Sequence, residues 1–340
     1  MEVKNLKLIV AMSVLLVSSV FARELASSEV NSRASERVLN GENLKPGISV
    51  LNINNIAYWI GKDGAYTTAG SPNGTMADYP IFTGGFIYSD GMLWGAKVKG
   101  DGQGDEVRVG GSTYNHGLKA GRIITDANGA VLGSDDPVNN HVWRVRKDWA
   151  SADLTVDAAN YYAVGTGDVS AAQIAVVKNQ YEYDWYNWPA AWGAPYHDVN
   201  GDGSYDPAVD VPGYPGADQT MWTIANDVPL IVNAAGDSIG YQSTAPNLYG
   251  ADPIGIELQI TMWGYAFGAG DPLGNMIFKK ATMKYTGLPD SPADSKMEDL
   301  YFTQWSDPDL GTYTDDYVGC DVDLSFGYVY NGNRLDGVFN

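Results

Sequence analysis

The strongest constraint on this chain is the length of its apolar runs, which are short, rich in aromatic and β-branched residues, and cut by Gly, Asp and Asn. An amphipathic helix needs a periodic pattern over about ten residues or more, whereas a strand is complete in about five. From Ile48 to about Val145 the runs cover residues 55–60, 85–88, 92–98, 106–109 and 142–146, with turns such as Ser89-Asp90-Gly91 between them. From Trp143 to Arg146 apolar and basic residues alternate, as in a strand with one wet face. Alternation is clearest over 254–262, whose apolar face is Ile254, Ile256, Leu258, Ile260 and Met262. A turn at 270–275 leads into 276–285 and predicts a hairpin. Residues 300–305 and 324–330 predict two more strands. Forty glycines, 22 tyrosines and ten tryptophans agree with a turn-rich sheet protein. The expectation is a mainly β fold, an antiparallel β-sandwich or jelly-roll-like architecture with a short helical insertion and a calcium-binding-type loop.

The rhythm breaks at about 148–187. Ser170 is an N-cap for a helix running to about Tyr181 and ending before Pro189, and a shorter helix is signalled weakly over 156–162. These breaks divide the chain into a β-rich part at 46–165, an insertion at 166–216 and an antiparallel sandwich portion at 217–340. Nothing in 331–340 closes a domain, so that portion reads as incomplete. At the other end, charged residues 1–7, an apolar run over 8–21 and Ala22 have the form of a secretory signal peptide, residues 1–22. A polar linker, 23–45, follows. No later run approaches membrane-spanning length, so no membrane span is expected after signal cleavage.

The expected location is therefore secreted, extracellular or on the outer cell surface. A net charge of −20 excludes nucleic acid as a partner and suits a calcium-rich exterior. The single cysteine, Cys320, excludes an intrachain disulfide and reads as a small buried hydrophobe. Bound metal is the alternative cross-link.

Such a cross-link is signalled by Asp198-Val199-Asn200-Gly201-Asp202-Gly203-Ser204-Tyr205-Asp206-Pro207-Ala208-Val209-Asp210. Oxygen ligands at alternate positions around a glycine are how a short loop wraps a calcium ion. Asp198, Asn200, Asp202 and Asp206 offer side-chain oxygens, Ser204 its carbonyl, and Gly203 the sharp turn. Val209 stands where a bidentate glutamate closes an EF-hand, and Asp210 follows one position later. Pro207 and Val211-Pro212-Gly213-Tyr214-Pro215-Gly216 forbid an exit helix. A static calcium clip is expected, the alternative being an Asp/Asn/Gly turn that binds nothing. A looser second cluster, Asp307, Asp309, Asp315, Asp316 and Asp321, either holds another calcium or caps solvated turns.

Aromatic density peaks at Tyr183, Trp185, Trp188 and Trp192. Flat rings beside polar groups suit a glycan contact surface, and they equally suit core packing. No catalytic motif stands out: the zinc-protease helix, the nucleophile elbow and the phosphate loops are all missing, and His116, His141 and His197 are widely spaced. A secreted hydrolase with a carboxylate pair drawn from Glu182, Glu257 and Glu298 remains an alternative.

Residues 198–210, Gly216-Ala217-Asp218-Gln219-Thr220-Met221-Trp222, and the segment from Trp305-Ser306-Asp307-Pro308-Asp309-Leu310-Gly311 through Asp316-Tyr317-Val318-Gly319-Cys320-Asp321 together resemble large, uncharacterised secreted proteins of Bacteroidota and Ignavibacteria-like bacteria. The resemblance runs from about Leu51 onward. It implies type IX secretion cargo, although the sorting domain that commonly ends such chains is missing from this sequence. The resulting expectation is a non-catalytic, calcium-stabilised structural or adhesive protein. Its expected partners are extracellular glycans or other surface proteins, with oligomer or filament assembly open, and a glycan-binding module of a polysaccharide-acting protein is the alternative.

Overall fold

Short strands need neighbours to satisfy their backbone groups, and here they find them across long sequence separations. The computed structural model describes residues 47–64, 71, 73–102, 106–134, 141–228, 230–232, 238–241, 248 and 251–334. The expected signal peptide and the expected linker lie outside the described residues. In chain order the strands are β1 (Ile48–Leu51), β2 (Ala57–Gly61), β3 (Ala77–Asp78), β4 (Gly85–Lys99), β5 (Glu106–Gly111), β6 (Lys119–Ala120), β7 (Ile123–Thr125), β8 (Val131–Ser134) and β9 (Trp143–Arg146). Helices α1 (Thr155–Tyr162) and α2 (Ala171–Tyr186) follow. Then come β10 (Tyr196–His197), β11 (Val211–Pro212), β12 (Gln219–Asn226), β13 (Leu230–Val232), β14 (Ser238–Tyr241) and β15 (Ile256–Gly264). The last four are β16 (Phe278–Tyr285), β17 (Lys296–Pro308), β18 (Asp316–Asp321) and β19 (Phe326–Asn331).

The protein is mainly β, and its two larger sheets are antiparallel. One has the order β1-β2-β3-β4-β17 with β5 also on β4; the other has β16-β15-β12-β6 with β9 also on β12. The expected hairpin is β15 with β16, in register from Ile256 opposite Tyr285 to Trp263 opposite Phe278. Both sheets mix strands from before and after the insertion, since β4 runs against β17 and β12 against both β6 and β9. Segments 46–165 and 217–340 therefore build shared sheets within one compact unit.

Between the sheets, Leu51, Tyr58, Ile60, Met92, Trp94 and Val98 meet Met221, Ala225, Ile256, Leu258, Ile260 and Met262. Every second residue of β15 thus enters this core, as its alternation predicts. Each such side chain contributes about 1.5–3 kcal/mol on leaving water.

The other face of the second sheet departs from expectation. Glu257 and Thr261 on β15 are buried, and every residue of β12 is buried. The reason is a third layer: Trp188 and Ala194 from the insertion pack on Trp143, Val145, Trp222 and Ile224. The wet face expected for the second sheet is the floor of the insertion.

Arg144 shows the consequence. Its place in an alternating strand predicts a solvated side chain, yet it is buried under both helices. Its guanidinium donates to Asn52 Oδ1 at 2.7 Å and Asp157 Oδ1 at 2.8 Å, and lies 4.6 Å from the centre of the Tyr181 ring. Asp157 also accepts from Arg146 Nη1 at 2.6 Å and from the Tyr181 hydroxyl, which itself accepts from Gln219 Nε2 at 2.7 Å. Burial pushes the Tyr181 phenol well above its ordinary pKa, so it stays a donor. Removing the Asp157 charge strands the buried Arg144 without a charge partner, while Arg146 keeps Asp148. Asp157→Asn is expected to cost about 3 kcal/mol or more of unfolding free energy in urea denaturation; a loss under about 1 kcal/mol would mean that the cluster is not holding α1 to the sheet.

At the far end of the second sheet, the buried Asp227 carboxylate accepts the N–H groups of Ile254 (2.8 Å), Gly255 (3.0 Å) and Ile256 (2.6 Å), which starts β15. Burial outweighs these hydrogen bonds and raises its pKa from 3.8 to about 6. An acid with a raised folded-state pKa contributes most stability below its unfolded value and loses it as pH rises through the folded one. The difference in unfolding free energy between wild type and Asp227→Asn is therefore expected to fall by about 2 kcal/mol from pH 4 to pH 6, and to level off only above about pH 7. A difference that stays flat over that window would contradict the shift.

The β17 side of the first sheet is open. Tyr301 is 79% exposed on β17, and the β18–β19 hairpin exposes Tyr317, Tyr328 and Tyr330. Cys320 is exposed on the same hairpin, against the expectation of burial, because β18 does not enter the core between the sheets.

Candidate functional site

Segment 198–210 is an excursion between two short strands, closed by Tyr196 opposite Pro212 and His197 opposite Val211. It is anchored to the end of α2. That helix starts where predicted, with a reciprocal capping box between Ser170 and Gln173, and runs on to Tyr186. Trp185 Nε1 donates to Pro207 O at 3.3 Å, and the Tyr205 hydroxyl donates to Trp185 O. Burial and the nearby Asp210 and Asp206 carboxylates raise the Tyr205 pKa, which keeps that hydroxyl protonated.

Within the loop the carboxylates organise the backbone. Asp198 Oδ1 accepts from the N–H groups of Gly201 at 2.7 Å and Asp202 at 3.2 Å, and its Oδ2 accepts from Gly203 at 2.8 Å. Asp202 Oδ1 accepts from Ser204 N, and Asp206 Oδ1 from Ala208 N. Gly201 and Gly203 take φ of 72° and 77°, a left-handed conformation that strains any side chain. Asn200 Nδ2 donates to Asp202 Oδ2 at 2.8 Å.

The donor set is all oxygen and suits a hard cation, and the loop is wound around its central glycines. Three N–H bonds occupy three of the roughly four acceptor sites of Asp198. Among the described residues no group of three or more His, Cys, Asp or Glu side chains stands close enough to hold a metal ion. Asp210 has a different role from the other carboxylates. It is buried beneath the loop, with Oδ1 accepting from Val199 N at 2.9 Å and Oδ2 from Asp206 N at 2.8 Å. It clamps the two ends of the loop together.

The second acidic cluster is dispersed over β17, β18 and the segment between them. Asp307 accepts from the Tyr114 hydroxyl, Asp315 from Asn333 N and Nδ2, Asp316 from Leu310 N and Asp321 from Leu324 N. Asp309 is buried, and its N–H donates to Phe86 O. Asp316 and Asp321 stand at opposite ends of the β18–β19 ladder. At about 3.4 Å per residue that is roughly 17 Å, too far for the two to share one ion.

The four aromatic residues do not form one surface. Trp188 is buried in the core of the insertion, so its ring is packing and not platform. Trp185 is half-buried against the loop, and Trp192 is half-buried with the Arg122 guanidinium 4.7 Å from its ring centre. Tyr183 alone is exposed, stacked on Trp143 at 6.2 Å. The three glutamates sit on three different elements. Glu257, expected on a wet face, is buried and accepts from Ile123 N at 2.8 Å; Glu298 pairs with Lys296 at 2.7 Å; Glu182 is exposed on α2.

A second polar centre had no signal in the sequence. His141 Nε2 stands 2.7 Å from Asp184 Oδ1, Gln180 Nε2 bonds to the same oxygen at 2.8 Å, and Asp184 Oδ2 accepts from Arg144 N. Its residues are drawn together only when α2 docks on β9. No protein-family model, curated protein or solved structure matches the chain.

Asp210→Ala is expected to leave two backbone N–H groups unpaired at a cost of about 1–3 kcal/mol, confined to the loop. Hydrogen exchange should speed up at Val199 and Asp206 and stay unchanged in β12; equal protection at both loop amides would rule out the clamp.

Proposed function

We propose that this is a non-catalytic, β-rich structural or adhesive protein of the cell exterior, stabilised by calcium at 198–210. The reading rests above all on the loop itself: alternating oxygen donors, wound by their own backbone N–H groups and tied by Trp185 and Tyr205 to a helix end. Asp198, Asn200, Asp202 and Asp206 would supply side-chain oxygens and Ser204 its carbonyl. Calcium adds a cross-link within the insertion, across the loop between β10 and β11, where the chain has no second cysteine for a disulfide. Export as type IX secretion cargo follows from the resemblance of the three sequence blocks and from the form of residues 1–22. The open apolar strands at β17–β19 supply a surface for surface proteins or for assembly. No helix among the described residues is long and apolar enough to cross a membrane.

Calcium at a hundredfold excess over its dissociation constant is expected to add about 2.7 kcal/mol to stability, raising Tm by roughly 5 °C or more. Scanning calorimetry of wild type, Asp198→Ala and Asp202→Ala with calcium and with chelator checks this. The two variants should lose the rise, while Asp316→Ala keeps it if one ion suffices. Identical melting of wild type with and without calcium would sink the proposal.

A further inference from the structure

A cavity of about 320 Å³ opens beside β10–β11, lined by Lys147, His197, Val211, Tyr214 and Pro215 together with residues 216–217. In a chain of 41 acidic and 21 basic residues, a cavity whose only ionisable nitrogen groups are a lysine and a histidine, with no carboxylate in its lining, is unexpected. Neither side chain has a hydrogen-bond or ion-pair partner among the described residues.

The nearby carboxylates are committed elsewhere. Asp148 is held by Arg146 at 2.7 Å, and Asp218 Oδ2 accepts from Ala266 N. The loop carboxylates lie on the opposite side of β10, because successive strand residues point to opposite faces. Tyr196, the neighbour of His197, is the residue that feels Asp198, Asp202 and Asp210, which raise its pKa after burial has done so. His197 instead shares its side with Val211, its cross-strand partner.

The apolar wall is rigid. Tyr214 stacks on Trp263 with centres 3.8 Å apart and planes 6° from parallel, and Trp263 stacks in turn on Phe278. Tyr214 N donates to Thr220 Oγ1 at 2.9 Å, fixing the wall to β12. Gly213, with φ of 101°, approaches the same Thr220 so closely that a Cβ there would stand 2.8 Å from Oγ1.

We propose that this cavity binds a sugar acid: its carboxylate sits against Lys147 and His197, and a C–H face of its ring lies on Tyr214 and Pro215. A volume near 300 Å³ suits one small ring. An ammonium group beside a carboxylate forms a charge-assisted hydrogen bond, about twice as strong as a neutral one. Aromatic and proline surfaces take the apolar face of a ring without rearranging. The site is independent of calcium at 198–210 and is tested with chelator present.

Titration calorimetry of the full chain with galacturonate, its trimer, galactose and acetate decides it. Galacturonate is expected to bind at millimolar concentration or below, with galactose and acetate weaker by about tenfold or more. Lys147→Met, a change at an exposed side chain, should weaken galacturonate by about tenfold or more while leaving Tm unchanged. His197→Gln should weaken it less than Lys147→Met, since its amide can still donate a hydrogen bond. A trimer that binds more tightly than the monomer assigns the site to a polymer end, and equal affinity assigns it to the free acid; either upholds the proposal. Equal binding of galactose or acetate, unchanged affinity in Lys147→Met, or no heat with galacturonate at millimolar concentration would overturn it.

Discussion

The contact on which the arrangement turns is the one between Asp157 and the two arginines of β9. A carboxylate on α1 sits between Arg144 and Arg146, and the Tyr181 hydroxyl of α2 completes its shell, so both helices are tied to the second sheet by one charged group. Charges removed from water in this way stabilise only while every partner is present. The network also reaches Asn52 beside β1 and Gln219 on β12, which bond to each other and to Arg144 or Tyr181. The insertion is thereby a third layer of the fold and not an appendage.

That docking sets what lies around it. With α2 fixed, its C-terminal residues meet Pro207 and Tyr205, and the loop at 198–210 gains a rigid neighbour on one side and β10–β11 on the other. The same docking buries Trp188 and covers the outer face of β12. A cation held by such a loop would reinforce an already fixed junction, in keeping with a static clip. The cavity at Lys147 and His197 lies on the opposite face of the same two strands, against a wall of stacked rings.

The two edges of the sandwich differ in kind. On the insertion side, a carboxylate enters the interior with a partner for its charge, as Glu257 does with Ile123 N, and at the far end of the same sheet Asp227 does so with three backbone N–H groups. On the β17 side, aromatic and aliphatic residues stand in solvent along an edge strand and a two-stranded ribbon. Unpaired strand edges and apolar faces favour association, and the bulge after Glu298 together with the charges of Lys296, Glu298 and Asp299 tempers pairing at one end of β17.

By itself the sequence determined what depends on neighbours a few residues apart. Period-two alternation defined β15 and its hairpin with β16, Ser170 defined the start of α2, and the spacing of Asp198, Asn200, Asp202 and Gly203 defined a wound loop, because strand faces, caps and turns are local. Tertiary structure alone decided which faces are dry. Arg144 and Glu257 occupy positions that alternation assigns to water, and only the docking of α1 and α2 onto the sheet supplies the partners that let them be buried. The same holds for Trp188, sent to the core, for Asp210, turned from ligand to clamp, and for Asp316 and Asp321, set at opposite ends of one ladder. Burial is a property of what packs above a residue, and in this chain that neighbour is often dozens of positions away, where no short-range pattern carries its signature.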